Sequence, residues 1–299
     1  MRQPCARPVC LLVALLFFTT KTECRKVNFY TATPGPSAVS WIRDAEALAG
    51  NRRIATGIYF CCVGFFRLEA NGTLQHQTAK ALSMWAQPTL DAGLDVHFVM
   101  DLSQEAIEGR TWARTDVLDR LGQLAVEVGF QGILVDYEPP SNYTRQHEES
   151  YAAFLHALSH AMHRVGKQSG FCTSNWGILQ AWKIYRFTHV DIATSMVYGW
   201  VGDGTPLYDF VEGELAKGGM PRDSVGFGVG TTVIPQRREA VTNFNWTSET
   251  LLNFTEWLRL PSVNITRLDF WRTDIDFRWP ANATEPWVFR AAADFLSSP

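Results

Sequence analysis

The 299-residue chain has no excess of basic charge: 27 lysines and arginines stand against 30 aspartates and glutamates, for a net charge of −3. That balance leaves no basic stripe for a phosphate backbone, so no nucleic-acid partner is expected. Cysteine is scarce, with six in all and none at zinc-ligand spacing, so no metal centre is expected. No Gly-rich phosphate loop follows the first strand-like segment, which argues against a dinucleotide site, and no cofactor is expected. The run "SNWG" at 174–177 is not a nucleophile elbow, and His97, His147 and His189 show no triad pattern. No Pro/Ser-rich linker divides the chain, so a single domain is expected. Long apolar runs are also missing: Val9 to Phe18 is too short to span a bilayer, and no later segment does better.

That one apolar run has a use. Arg2 and Arg7 precede it, giving the charged and apolar regions of a signal peptide over 1–23, with the mature domain at 24–299. The expected destination is the secretory lumen, extracellular or lysosomal. Six N-x-[ST] sequons agree with that route: Asn71, Asn142, Asn245, Asn253, Asn264 and Asn282. Cys5 and Cys10 leave with the signal, so Cys24, Cys61, Cys62 and Cys172 remain, and a secreted chain permits disulfides. Adjacent cysteines rarely bond to each other, so Cys61 and Cys62 are expected to look to Cys24 or Cys172. Apolar residues make up 46% of the chain, enough for a sizeable core. Aromatics reach 13%, with eleven Trp, which fits either a Trp-rich core or a cleft whose rings stack on sugars.

Hydrophobic period alternates along the chain. Strand-like segments lie at 25–32, 53–66, 94–103, 131–138, 170–176, 189–199, 224–233 and 264–275, most of them separated by helical ones. About eight apolar strands alternating with helices, at this length, predict a (β/α)8 barrel. In "QGILVDYE", side chains two apart share a face, so Gly132, Leu134, Asp136 and Glu138 point into the barrel. Ile133, Val135 and Tyr137 then point to the helices. Active sites of this fold lie at the C-terminal strand ends, where Asp136 and Glu138 fall before a Pro-Pro pair. Other strand ends add Asp101, Asn175, Trp176, Met196, Tyr198 and Trp271, with Asp274 and Asp276 beyond. Carboxylates, an amide, a phenol and indoles around one mouth suit a glycan ligand. The structural alternative is that Asp136 and Glu138 cap the next helix or pair with Arg145 or another basic residue, and that Asp274 and Asp276 form a solvated loop or pair with Arg272 or Arg278.

At these residues the sequence resembles glycoside hydrolase family 18, the chitinases and endo-N-acetylglucosaminidases. That family is a (β/α)8 barrel with DGxDxDxE on its fourth strand. Gly132, Asp136 and Glu138 match that pattern, "MVYG" places Tyr198 on the family's tyrosine, and "FWRTDID" places Trp271 on its sugar-floor tryptophan. The resemblance implies that Glu138 is the general acid, with its carboxyl pushed up by its setting. It implies that Asp136 and Tyr198 hold a 2-acetamido group whose carbonyl oxygen is the nucleophile, a substrate-assisted retaining route. Departures are Gln131 and Leu134 in place of the first two Asp, no Ser-x-Gly-Gly run on the third strand, and no room for an insertion domain. Asp101, ending the neighbouring strand, is a candidate for the proton-sharing role lost at Leu134. Two alternatives follow: a catalytically silent chitinase-like lectin, and a hyaluronidase-like or other two-carboxylate glycosidase.

Overall fold

The computed structural model describes residues 25–138, 143–173, 185–196, 219–230, 248–271 and 287–297. Among the described residues the strands are β1 (Lys26–Thr31), β2 (Gly57–Phe60), β3 (Phe66–Leu68), β4 (Leu74–His76), β5 (Asp95–Leu102), β6 (Gly132–Asp136), β7 (Gln168–Thr173), β8 (Ile192–Ser195), β9 (Val225–Gly230) and β10 (Arg267–Trp271). The helices are α1 (Gly35–Leu48), α2 (Ala79–Asp91), α3 (Gln104–Glu108), α4 (Val117–Val128), α5 (Arg145–His163), α6 (Ser248–Arg259) and α7 (Trp287–Ser297), with a 3-10 turn at Thr111–Arg114.

Eight of the strands close a parallel ring. The order runs β1, β2, β5, β6, β7, β8, β9, β10 and back to β1, where Lys26 pairs with Arg267 and Phe29 with Phe270. The protein is a single (β/α)8 barrel, as the alternation of periods predicts. Each segment read as a strand contains one, and β7 begins earlier than read, at Gln168. The stretch 53–66 differs: β2 stops at Phe60, and β3 resumes the pairing with β5 at Phe66↔Met100. β3 then folds back on β4 in an antiparallel hairpin through the Asn71 turn. That hairpin was not legible as strand, because His76 and Gln75 on β4 are exposed and give no apolar alternation.

Alternation decides what each strand residue meets. Outward residues fill the layer under the helices: Phe29 stacks on Phe270 and meets Trp41 of α1 edge-on. Phe60 and Phe98 meet Phe65, and Trp85 of α2 closes on Phe60 and Phe65. Trp112 packs on Phe154 and Trp257 on Phe254, so these tryptophans serve the core, as the structural reading of the Trp content has it. Helix α4 buries Val117, Leu121, Leu124, Ala125 and Val128, one apolar stripe at helical spacing. It ends at Gly129, whose φ of 90° only glycine adopts without strain, and the chain turns there into β6. Helix α5 opens on a capping box in which Thr144 Oγ1 accepts from the His147 N–H and His147 Nδ1 accepts from the Thr144 N–H.

The disulfide expectation is corrected. No disulfide joins Cys61, Cys62 and Cys172 among the described residues, and Cys24 lies outside them. Cys172 is buried inside the barrel against the Tyr30 hydroxyl, 3.7 Å away. The sulfurs of Cys61 and Cys62 face each other at 2.6 Å. Asn71, Asn253 and Asn264 are exposed, while Asn142, Asn245, Asn282 and residues 1–23 lie outside the described residues. Among the described residues no helix is long and apolar enough to cross a membrane.

Candidate active site

Strand β6 places the site. Gly132 opens it, inside the ring, where a β-carbon would sit 2.5 Å from the Gln168 carbonyl oxygen and 2.8 Å from the His97 ring. Ile133, Leu134 and Val135 are fully buried. Asp136 ends the strand in register with Asp101 of β5. Tyr137 faces the helices, its ring 5.0 Å from Tyr151 of α5, so the predicted alternation holds through this strand end. Glu138 follows directly and is exposed. Neither acid is spent on a cap or an ion pair with Arg145: Thr144 caps α5, and Arg145 Nε bonds Glu149 at 3.0 Å.

Asp136 is the electrostatic focus. Its Oδ1 is buried and has no hydrogen-bond partner among the described residues. Burial, then the charge of Glu138, then that of Asp101, push its carboxyl up to about 7. Asp101, an exposed residue, is itself raised by burial of its carboxyl, with Arg67 of β3 pulling the other way. Arg67 and Asp101 are register partners, so β3, β5 and β6 set Arg67, Asp101 and Asp136 side by side.

Around the mouth from Asp136, Cys172 and Tyr30 join the residues expected from the sequence. Cys172 of β7 is close enough for Asp136 to act on its thiol, which burial and that charge push up. The Tyr30 hydroxyl meets Cys172, and the Tyr30 ring lies 4.9 Å from Trp271. Trp271 is thereby held, half-exposed, at the end of β10 in the same upper layer. Met196 is buried at the end of β8, its N–H bonded to the Thr173 carbonyl at 2.6 Å. The structure thus brings Asp101, Asp136, Glu138, Met196 and Trp271 to one end of the barrel. Asn175, Trp176, Tyr198, Asp274 and Asp276 lie outside the described residues.

One layer below, the barrel is polar, and its carboxylate is hydrogen-bonded. Asp269 is fully buried and accepts from Asn28 Nδ2 at 2.7 Å and from Thr194 Oγ1 at 2.8 Å. Tyr59 bonds the same carboxylate and accepts from Arg267 at 2.8 Å. Gly226 makes room for it, since a β-carbon there would lie 2.5 Å from Asp269 Oδ2. His97 bonds Gln168 at 3.0 Å, and burial, aided by the Arg267 charge, lowers its imidazole to about 4, so it is neutral. Among the described residues no cluster of His, Cys, Asp and Glu is arranged to hold a metal ion.

No family model and no curated protein matches the sequence. Solved structures do. A chitinase from Bacteroides thetaiotaomicron superposes with a TM-score of 0.67 at 12% identity, covering 92% of this chain and 97% of that one. The Group IV chitinase of Ostrinia furnacalis gives 0.65 at 13% identity, over 92% and 100%. The spore cortex-lytic enzyme SleL of Bacillus megaterium gives 0.63 at 12% identity, over 91% and 74%. At such identities the likeness shows the fold, and that fold is the barrel of these chitinases.

Proposed function

We propose that the chain is a divergent relative of glycoside hydrolase family 18 that cleaves an N-acetylhexosamine-containing glycan, with Glu138 as general acid. The observation that carries this reading is the Asp136–Glu138 pair at the C-terminal end of β6, in a barrel of chitinase shape. Glu138 reaches solvent and can meet a glycosidic oxygen at the mouth, where its O–H donates the proton as the bond to C1 breaks. The acetamido carbonyl oxygen of the sugar attacks C1 from the opposite face, and water later opens that ring. Asp136 supplies the acetamido group with an acceptor. An N–H seated against Oδ1 gives that buried oxygen a partner, which it has from none of the described residues, and favours its ionised form. Trp271, braced by Tyr30, offers a flat apolar face to the sugar ring. Tyr198 belongs to this assignment through the motif alone. Residues 1–23 are taken as a signal peptide, residues 24–299 as the secreted, N-glycosylated barrel.

Leu134 supports a second reading. It is fully buried where the family motif has an Asp, so no carboxyl stands on β6 beneath Asp136 to exchange a proton with it. A barrel that binds glycans without cutting them fits that loss. The experiment is hydrolysis and binding of chitin oligosaccharides, N-glycans and hyaluronan from pH 4 to 8. Cleavage of a 2-acetamido sugar linkage is expected. Binding without cleavage selects the lectin, and cleavage of sugars lacking the acetamido group removes the assisted mechanism.

A further inference from the structure

We propose that Cys61 and Cys62 form a redox-closable vicinal pair, a clasp on the rim of the barrel that a disulfide donor shuts into an eight-membered ring. The inference is independent of the glycosidase reading.

Two neighbouring residues on a trans peptide have their α-carbons about 3.8 Å apart, below the span that most disulfides use, which is why such pairs seldom bond. A chain that bonds them must fold its backbone for the purpose. Here it does. Cys62 takes φ 68°, in the left-handed region that a residue with a β-carbon seldom enters. Gly64, two residues on, turns the same way at φ 65°. The side chain of Cys62 is folded back so that its Sγ lies 2.6 Å from that of Cys61.

The position gives the clasp its purpose. β2 and β3 both run beside β5, and the segment 61–65 is an excursion from one barrel strand. Cys61 is anchored at the start of it, buried, with its N–H bonded to the Thr31 carbonyl at 3.0 Å. Cys62 and Val63 are exposed. One sulfur is thus held by the barrel wall and the other is open to reagents. Closure fixes the left-handed turn and with it the take-off of the β3–β4 hairpin.

The chemistry balances with a small-molecule or protein disulfide as oxidant. The exposed Cys62 thiolate attacks the donor disulfide and releases one donor thiolate. The Cys61 thiolate then attacks the Cys62 sulfur and releases the second. Two cysteine thiols are oxidised, one donor disulfide is reduced to two thiols, and the two cysteine protons pass to the leaving thiolates.

Trypsin isolates the pair, because Arg53 and Arg67 bound a peptide, 54–67, that holds both cysteines and no other. The full chain is treated with oxidised glutathione, alkylated without reduction, digested and weighed. The expected peptide carries no alkyl group and is about 2 Da lighter than its reduced form. It gains two alkyl groups only after reduction with dithiothreitol. A Cys62→Ser chain should leave Cys61 open to alkylation once denatured. Two alkyl groups on the unreduced peptide 54–67 overturn the proposal, and so does a cross-link from it to the peptide holding Cys24 or Cys172.

Discussion

Two of the barrel's inward aspartates lie a layer apart, and their surroundings are opposite. Asp269 on β10 is fully buried, with Asn28, Thr194 and Tyr59 bonded to it and Arg267 supplying the counter-charge. Asp136 on β6 has a buried oxygen with no partner among the described residues and two acids as neighbours. Among the described residues the Asp269 carboxylate has its partners and the Asp136 carboxylate does not. A buried carboxylate whose bonds are all met holds the fold together, while one kept short of a partner costs stability until a ligand arrives.

Breaking the floor should have the larger effect. Asp269→Leu removes the carboxylate and leaves the Arg267 charge buried, so urea unfolding should show a loss of about 3–5 kcal/mol. The mouth should respond with the other sign. The Asp136 carboxyl is raised to about 7 in the folded chain, above its unfolded value near 4. Between those values the folded state binds the extra proton, so this group favours folding below pH 4 and the advantage is lost as pH rises through 7. Asp136→Asn should therefore stabilise the protein at pH 8 by about 2–4 kcal/mol in the same assay, while glycan hydrolysis falls. A destabilised Asp136→Asn protein would mean that the mouth is built like the floor.

His97 sharpens the comparison. Its folded value near 4 lies below the unfolded 6.5, so its contribution is present above pH 6.5 and is lost as pH falls through 4. In the native chain this slope opposes that of Asp136. In Asp136→Asn the largest opposing slope is gone, and stability should rise more steeply from pH 4 to 6.5 than in the native chain. Asp101→Asn should have the smallest effect. It removes one of two like charges near Asp136 and should lower the Asp136 midpoint by about half a unit, read by carboxyl NMR.

The barrel was legible because strands covered on both faces read as apolar runs and α4 and α5 show helical period. The mouth was legible on β6, where two acids end a strand that has no surface to put them on. Cys172 and Tyr30 were not, since a cysteine and a tyrosine in an apolar strand look like core. The floor left a signal in "KVNFYT" and "RLDFW", where polar residues recur at alternate positions inside buried strands. Their partners come from strands 241 residues apart, as Asn28 and Asp269 do, and no local pattern names such a pair. The hairpin of β3 and β4 escaped for a different reason: it rests on one edge of β5 with an exposed outer strand.

The most direct measurement is the turnover of a chitin oligosaccharide by the native chain and by Glu138→Gln, with binding of the same oligosaccharide measured beside it. The account predicts a rate about 10²–10⁴ lower in the variant, with binding retained. An unchanged rate in Glu138→Gln would contradict it.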